Sequence, residues 1–445
     1  MQAAPIPVPN NRLIQTALYL SDPYRYYQRV YASCGDTFKF PSFNGDVVLS
    51  RDPQIAKIIF TLDPADFTVH AAERLASIVG SQSVLGLDGE RHKRERKLLN
   101  PPFHGARMRS YGSQMQEAAL VEAKDWRPGQ VVELHQAMQR ISLNIITRAV
   151  FGVVDPAQAE QTRSTATEFM ESMSPLVLML PFLAHDWFGL SPWARMQRAR
   201  QAFDAVLYGQ IAARRKQPAG EDILSLLLST RYEDGTGMTD EQIHSELLTL
   251  LIAGHETTAL SLSWMFYHLY RHPETLVRLR RELDALGPHP EPEQIAQVPY
   301  LDACCQETLR LYPIVGEIFR KLRRPLELGP FLVPAGTSVS VSAIGLHHNP
   351  ALYPEPETFR PERFLERKFS PFEFVPFGGG VRRCLGAAFA LYEMKQVAYA
   401  VLQHCELELA TARVIRPIMR GPTMGPKGGV QMRFSRLRAP VSAGS

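Results

Sequence analysis

Cysteine is scarce in this chain of 445 residues, which contains only five cysteines. They are Cys34, Cys304, Cys305, Cys384 and Cys405. No two of them have the C-x-x-C spacing of a zinc site, and an odd number gives no basis for a disulfide framework. This usage fits a reducing compartment, so we expect a cytoplasmic protein.

Long hydrophobic runs are also missing. The N-terminus, MQAAPIPVPNNR, has no basic start followed by an apolar segment, and no stretch reaches the roughly 18 to 20 uncharged residues of a membrane span. We therefore expect no transmembrane anchor. The nearest candidate, PLVLMLPFLA at 175–184, is short and is interrupted by Pro181. It is either a buried helix end with a loop or an apolar lid over a ligand entrance.

Neither sign of charge dominates. The chain has 49 Lys and Arg against 45 Asp and Glu, a formal net charge of +4, which is too small to indicate a nucleic-acid partner. With 45% hydrophobic and 21% charged residues it has the composition of an ordinary globular protein. Linker-like tracts and internal repeats are absent from the sequence, so we expect one domain over residues 1–445, present as a monomer.

The periodicity of the sequence predicts a mainly α protein with a small β-sheet region. Alternating residues and the turn signal Asn44-Gly45 mark 36–62 as β-rich, and 326–346 is a second β-rich stretch. Most of the remaining chain has the apolar spacing of helices, in runs too long for strands, for example 134–152 and 193–216.

One helix is predicted to be unusually long. It begins at Thr239, where T-D-E-Q forms a capping box, and ends before Pro273, which gives a length of roughly 50 Å. Its middle contains Gly254, which costs about 1 kcal/mol relative to Ala, and places Glu256 and Thr257 where burial is expected. A functional or packing gain must offset this local cost.

The decapeptide FGGGVRRCLG, residues 377–386, places Cys384 in a glycine-rich turn. The residues that follow have helical periodicity, so Cys384 lies just before a helix N-terminus, where free N–H groups and the helix dipole favour a thiolate. A buried small hydrophobe is the alternative for a lone cysteine. A metal held by one thiolate, with no second protein ligand nearby, indicates haem iron.

The residues Phe377, Gly380, Arg382, Cys384 and Gly386 together resemble the haem-binding signature of the cytochrome P450 haem-thiolate monooxygenases. The resemblance implies the single-domain cytochrome P450 fold. It places haem b (iron protoporphyrin IX) between the long central helix and the helix that follows the cysteine loop, with Cys384 as the axial ligand of the iron.

The same resemblance implies further cofactor contacts. Four of them, His92, Arg96, Arg320 and Arg382, match by order the positions that bind the haem propionates. The full set of implied cofactor-binding residues is His92, Arg96, Ala253, Arg320, Phe377, Gly378, Arg382 and Gly386. Many relatives carry Trp at the position of His92, and an ordinary surface histidine is the alternative there.

The middle of the long helix, AGHETT at 253–258, resembles the oxygen-activation motif of the family. Helical spacing places Ala253 on the same face as Glu256 and Thr257. Oxygen activation consumes two protons, so the resemblance assigns Glu256 and Thr257 to a carboxylate-hydroxyl relay. The alternative is that the hydroxyls bond back to carbonyls of a kinked helix. His255 and Thr258 are assigned to helix structure.

The pair Glu307-x-x-Arg310, followed by Arg363 in FRPERF, resembles the buried charge triad of the family. A forked cation that shares one carboxylate can hold a helix against the irregular segment leading to Cys384. We expect a structural role for these three residues. Glu160 and Arg163 have the same spacing, and we interpret them as a solvated surface pair.

The resemblance implies a reaction that inserts one atom of O2 into an unactivated substrate and releases the other as water. The reaction also needs two electrons. Neither a nucleotide-binding motif nor a cysteine cluster follows Cys384, so we expect no fused reductase and a separate source of these electrons. A ferredoxin or flavodoxin with an NAD(P)H-dependent reductase is implied. A patch of cationic residues on this chain would bind the acidic electron donor. The alternative is that these residues are ordinary solvated surface charges. The patch consists of Arg91, Lys93, Arg94, Lys97 and Arg383.

The substrate pocket implied by the resemblance is mostly apolar, which favours a fatty acid, terpenoid, steroid-like or polyketide guest. Its walls come from loop 66–88, from 172–190 and from 422–424. The individual pocket residues are Leu250, Ile252, Ala253, Ile314, Val315, Gly316 and Thr423. Glu317 is a possible polar anchor, unless it points away. Simple core packing is the alternative for each residue.

Two other classes of function remain open at this point. A peroxygenase of the same fold would use hydrogen peroxide, but relatives of that kind lack the acid-alcohol pair. A non-catalytic haem-binding or sensor protein would need neither a proton relay nor an electron donor. The measurement that separates all three is product formation with redox partners compared with hydrogen peroxide alone.

Overall fold

A computed structural model of the chain describes residues 4–9, 11–41, 45–103, 105–152, 155–173, 183, 185–186, 188–218, 220–420 and 423–438. Over these residues the protein is mainly helical, with small sheets. The segment 175–184, predicted to be a lid or a buried helix end, lies almost entirely outside the described residues, as does Asn44 of the predicted turn.

The helices, numbered in chain order, are α1 Arg12–Ser21, α2 Pro23–Cys34, α3 Pro53–Phe60, α4 Ala72–Val79, α5 Gly89–Leu99, α6 Gly105–Ser110, α7 Gly112–Ala123, α8 Leu134–Phe151, α9 Pro156–Ser172, α10 Pro192–Arg214, α11 Ile223–Ser229, α12 Asp240–Arg271, α13 Pro273–Asp284, α14 Pro292–Ala296, α15 Pro299–Leu311, α16 Ala343–His347, α17 Arg363–Glu366 and α18 Ala387–His404. None of the described helices is both long enough and apolar enough to cross a membrane.

The strands are β1 Thr37–Phe40, β2 Val47–Ser50, β3 Phe67–Thr68, β4 Val131–Glu133, β5 Glu317–Leu322, β6 Leu326–Leu328, β7 Phe331–Val333, β8 Ser338–Ser342, β9 Cys405–Leu409, β10 Pro417–Arg420, β11 Thr423–Pro426 and β12 Gln431–Leu437. The largest sheet has the order β1-β2-β8-β5-β3, and a second has the order β4-β12-β9. Strands β6 and β7 form one hairpin, and β10 and β11 form another.

Helix α12 is the predicted long helix, and its ends have the predicted causes. The Thr239 hydroxyl accepts from the Gln242 amide while the Gln242 side chain accepts from the Thr239 amide, which completes the capping box. The helix ends at Arg271, and Pro273 starts the next one. It packs against α8, α10, α15 and α18, so it runs through the middle of the main hydrophobic core.

The prediction that 36–62 is β-rich holds for the hairpin at its start but not for residues 53–60. Strands β1 and β2 form the expected antiparallel hairpin, but residues 53–60 form α3. Asp52 caps this helix by accepting from the Gln54 amide at 2.7 Å, and Pro53 occupies its first position. The Asp-Pro pair is a helix-start signal, and it prevails over the β-branched residues that follow. The second β-rich stretch likewise ends in a short helix, α16.

A buried carboxylate holds α15 to the segment that leads to the cysteine loop. Glu307 accepts from Arg310 Nε at 2.7 Å, from Arg363 Nε at 3.0 Å and from the Arg360 amide at 2.8 Å. All three side chains of the predicted triad are buried. The second arm of Arg310 donates to the carbonyl of His347 at 2.8 Å, so the arginine also fixes the loop after α16. The sequence pair Glu160-Arg163 is an exposed pair on α9, as expected.

We expect Glu307→Ala to lower the free energy of unfolding by about 3 to 5 kcal/mol, because it leaves two buried arginines without a counter-charge. Urea unfolding followed by circular dichroism measures this loss. The matched control is Glu160→Ala, which removes an exposed partner of Arg163 and is expected to cost at most about 0.5 kcal/mol. Equal and small losses in the two variants would contradict the structural role of Glu307.

Candidate functional site

The cysteine loop requires glycine at two positions where it crosses α3. Gly380 has a φ of +64°, and a Cβ atom there would collide with the carbonyl oxygen of Phe60. Gly379 lies against the ring of the same Phe60. The Cys384 amide donates to the Phe377 carbonyl oxygen at 2.8 Å, which closes the turn. The loop thus delivers Cys384 to the start of α18.

The side chain of Cys384 is exposed, whereas three other cysteines are buried. Desolvation by the surrounding protein raises the pKa of its thiol, while the Gly386 amide, Arg96 and Arg383 act in the opposite direction. Among the described residues no group of three or more His, Cys, Asp and Glu side chains is placed to hold a metal ion. Among these residues Cys384 is therefore not part of a three-ligand metal site.

Helix α12 has one open position in a face that is otherwise buried. Ala253 is exposed, although most of the helix lies in the core. One residue further, a Cβ atom at Gly254 would come within 3.3 Å of the Ile146 side chain, so glycine allows α8 to approach closely. Because α12 packs against α18, we interpret exposed Ala253 and exposed Cys384 as two sides of the same recess.

The acid and the alcohol of α12 point to different groups. The Thr257 hydroxyl donates to the Ala253 carbonyl at 2.6 Å. Glu256 instead faces α8, where it accepts from Gln139 Nε2 at 2.7 Å and lies 3.3 Å from His135 Nε2. Burial raises the pKa of Glu256, but the contacts with His135 and Gln139 outweigh burial, so its pKa is lowered and the carboxylate is ionised at neutral pH. Glu256 and Thr257 therefore share a face of α12 with Ala253 only approximately, because Glu256 is turned towards α8.

The residues assigned to helix structure have local partners. The Thr258 hydroxyl donates to the Gly254 carbonyl at 3.1 Å. His255 is buried, and its Nδ1 lies 3.2 Å from the sulfur of Met170. Burial lowers the pKa of His255 to about 4, so it is neutral at physiological pH.

Four basic side chains converge at the edge of the recess. Burial, followed by the charges of Arg382, Arg96 and Arg320, lowers the pKa of His92 to about 4. Burial, followed by Arg382, lowers the pKa of Arg320 to about 10. Among the described residues Asp88 is the carboxylate that meets this group, at 3.0 Å from Arg382 Nη2. Three arginines thus face one carboxylate, and the cluster has room for further negative charge.

The predicted pocket residues differ in exposure. Val315 is 45% exposed, Leu250 and Ile252 are half-buried, and Ile314 and Gly316 are buried. Thr423 is buried and its hydroxyl donates to the Arg420 carbonyl at 2.7 Å, so that hydroxyl is engaged within its own hairpin. Pro422 lies outside the described residues.

Glu317 points away from the predicted pocket. Its two carboxylate oxygens accept from the hydroxyls of Tyr19, at 2.9 Å, and Tyr27, at 2.5 Å. Burial raises the pKa of Glu317, although these two hydrogen bonds act in the opposite direction. The side chain fastens α1 and α2 to β5, so it does not serve as a polar anchor for a substrate.

Most cations of the predicted docking patch have partners within the chain. Lys97 lies 2.8 Å from Glu233, and Arg94 lies 3.8 Å from Asp234 and stacks on the ring of Tyr232. The remaining contacts are those of Lys93 with Glu90 and of Arg91 with Gln82. Charge on this surface is therefore partly neutralised.

Four side chains near the site were missed in the sequence. His135 and Gln139 contact Glu256 from α8, Asp88 contacts Arg382, and Arg420 Nε lies 3.9 Å from Glu256 Oε1. The signal for the first two was present, because His135, Gln139 and Ser142 form a polar stripe at i, i+4 and i+7 on an apolar helix. Asp88 gave no signal, since it lies in a loop remote in sequence from its partner.

Comparison with known proteins shows the family of this chain. The chain matches the family model Cytochrome P450 over residues 5–433. Putative cytochrome P450 138 of Mycobacterium tuberculosis is 38% identical over 396 residues, which cover 88% of this chain and 87% of that protein. Putative cytochrome P450 135B1 of the same organism is 35% identical over 435 residues, which cover 96% of this chain and 90% of that protein.

A solved structure extends the agreement to three dimensions. The retinoic acid-bound cyanobacterial CYP120A1 has a TM-score of 0.86 at 28% identity, over 95% of this chain and 96% of that chain. The predicted family and the mainly helical fold with small sheets are confirmed. This chain therefore belongs to the cytochrome P450 family and is a haem-dependent monooxygenase.

Proposed function

We propose that this monooxygenase hydroxylates or epoxidises a hydrophobic small molecule, with O2 and two electrons from a separate ferredoxin or flavodoxin and its NAD(P)H-dependent reductase. It acts as a cytoplasmic monomer. The observation that carries the proposal is the exposed Cys384 at the start of α18, in a recess bordered by the open face of α12. Haem b, when bound there through Cys384, supplies the oxygen-activating chemistry.

The residues around the recess fit a flat, doubly anionic group. A Cβ atom at Gly386 would meet open space, and Ala253 presents only a methyl group to the opposite side. Phe377 and Gly378 continue the wall beside Cys384. The basic cluster of His92, Arg96, Arg320 and Arg382 carries more positive charge than Asp88 neutralises, so two propionates would complete its charge balance.

Arg96 offers the clearest test of the propionate assignment, because among the described residues its side chain donates one hydrogen bond, to the carbonyl of Arg383. Arg96→Gln should speed the transfer of haem to apomyoglobin by roughly tenfold or more, since a charge-assisted hydrogen bond contributes about 1.5 to 3 kcal/mol. The control is Arg94→Gln on the same helix, which faces Asp234 and Tyr232. Identical transfer rates in the two variants would refute the assignment.

Glu256 and Thr257 are the residues proposed to deliver protons. Thr257 holds its hydroxyl at the open position of α12, next to Ala253. Glu256 is ionised and held by His135 and Gln139, so it can take up a proton from the α8 side of the helix. A proton then passes to the recess through the Thr257 hydroxyl or an ordered water. We assign His135 to positioning of the carboxylate.

Thr257→Ala should uncouple the enzyme. We expect consumption of NAD(P)H and O2 to continue while hydrogen peroxide replaces most of the product, because the hydroxyl that guides the proton is gone. Thr258→Ala is the matched control, since its hydroxyl is buried and bonded to the Gly254 carbonyl. Unchanged coupling in Thr257→Ala would contradict the relay assignment.

In the same assay, product formed from hydrogen peroxide alone would favour a peroxygenase, and no product under either condition would favour a sensor.

The proposed substrate class follows from the apolar character of the pocket. Leu250, Ile252, Ile314 and Val315 provide aliphatic surface, and neither Glu317 nor Thr423 offers a free polar group. The related CYP120A1 binds retinoic acid, a largely apolar molecule. A fatty acid, terpenoid, steroid-like molecule or polyketide fits such walls.

The electron donor would approach the surface beside the cysteine loop. Arg383 is exposed next to Cys384, and among the described side chains none bonds to its guanidinium. Lys93, Arg94 and Lys97 lie on α5, where acidic residues of the same chain partly neutralise them. An acidic ferredoxin or flavodoxin would exchange these weak surface contacts for its own.

The thiolate ligand is tested by spectroscopy. Cys384→Ser should lose the thiolate-type carbon monoxide spectrum of the reduced protein, because a hydroxyl cannot replace the thiolate as an electron-rich ligand. Cys34→Ser removes a half-buried cysteine at the end of α2 and should leave the spectrum unchanged. A wild-type spectrum in Cys384→Ser would overturn the proposed function.

A further inference from the structure

A second concave site lies away from the recess, between the N-terminal helices and the C-terminal hairpin. Its cavity of about 250 Å³ is lined by α1, α2, the start of β10 and the residue after β11. This volume is below the roughly 300 to 1,000 Å³ of pockets for drug-sized ligands, so the cleft suits a small group.

The charged side chains of the cleft are nearly all positive. Arg25, Arg29, Arg416 and Lys427 line it together with one carboxylate, Asp22. Asp22 lies 3.6 Å from Arg25 and is also the N-cap of α2, where its side chain accepts from the Arg25 amide. Four cations against one carboxylate give a formal charge of +3 at a single concave spot, compared with +4 for the whole chain.

Three of the four cations have no partner of their own. Within the described part of the chain, the side chains of Arg29, Arg416 and Lys427 make neither an ion pair nor a hydrogen bond. The backbone keeps two of them together, because the Lys427 amide donates to the Arg416 carbonyl at 2.8 Å. Like charges held side by side repel one another unless an anion neutralises them.

Tyr26 forms part of the wall of the cleft and is only 2% exposed. Its hydroxyl is fully buried and has no hydrogen-bond partner among the described residues, so it is not offered to a guest in the cleft. Recognition of a guest therefore depends on the cations.

We propose that this cleft binds a phosphate-class oxyanion, either as a free small phosphate or as the headgroup of an anionic lipid. Two guanidinium forks from Arg29 and Arg416 suit the oxygens of a phosphate, and Lys427 adds a third positive charge. The concave shape strengthens the field of these charges relative to an open surface.

The test uses the haem-loaded full-length protein and isothermal titration calorimetry with glycerol 3-phosphate, and with glycerol as the phosphate-free comparison. The cleft variant is Arg29→Gln, Arg416→Gln and Lys427→Gln combined. The charge-matched control is Lys216→Gln, Arg413→Gln and Arg436→Gln combined, three exposed cations that do not line the cleft. We expect saturable binding of glycerol 3-phosphate, but not of glycerol, that the cleft variant weakens tenfold or more and the control leaves within twofold.

Vesicles separate the two sources of phosphate. Cosedimentation with phosphatidylcholine vesicles is compared with vesicles that also contain phosphatidylglycerol. Binding to the latter alone, lost in the cleft variant and displaced by glycerol 3-phosphate, identifies a lipid headgroup; binding of the soluble phosphate alone identifies a free ligand.

Two results would overturn the proposal. One is the absence of saturable binding to glycerol 3-phosphate and to both kinds of vesicle. The other is an equal loss in the cleft variant and in the charge-matched control, which would assign the effect to net charge rather than to this cleft.

Discussion

The site depends on a single buried carboxylate, that of Glu307. It holds Arg310 at the end of α15, and Arg310 in turn donates to the carbonyl of His347. The ring of His347 accepts from the Val375 amide at 2.9 Å, and the turn that begins there ends with Cys384. One chain of hydrogen bonds thus connects a buried ion pair to the ligand position. A buried ion group of this kind adds little net stability, but it fixes one arrangement of the segments that share it.

Positive side chains are concentrated at two places, the buried cluster around His92 and the outer cleft. In the buried cluster, burial and then the nearby arginines lower the pKa of His92 so far that it stays neutral, which limits the repulsion within the cluster. In the outer cleft the cations are exposed to water, and the lining has a single carboxylate, that of Asp22. The first arrangement suits a cofactor that stays bound, because desolvated charges need a permanent counter-charge. The exposed arrangement in the cleft suits a ligand that binds reversibly.

Much of the fold was predictable because its signals are local. The capping box at Thr239 and the proline at 273 mark the ends of α12 within a few residues, and the glycines before Cys384 mark a turn that other residues cannot adopt. Residues 53–60 lie within a stretch predicted to be β-rich, but the Asp52 cap and Pro53 start a helix there. Sequence periodicity measures side-chain preference, but capping acts on the backbone.

The less predictable features of the site arise from contacts between distant segments. The spacing of Glu256 and Thr257 gives their angle around α12, but it cannot show that α8 contributes His135 to one of them. Nor can it show that Glu317 is held by two tyrosines almost three hundred residues earlier in the chain. The cleft is the strongest case, since its cations come from residues 25–29 and 416–427 and have no pattern in either segment.

The hairpin of β10 and β11 belongs to both concave sites. Ile418 lines the cleft and pairs with Gly425. The preceding residue of β11, Met424, donates its amide at 2.9 Å to the carbonyl of Ile314, a residue of the proposed substrate pocket. The two sites are therefore separated by a single pair of strands. Thermodynamic linkage makes any influence between them mutual: if a guest in the pocket tightens the cleft, an anion in the cleft must tighten the pocket by the same factor.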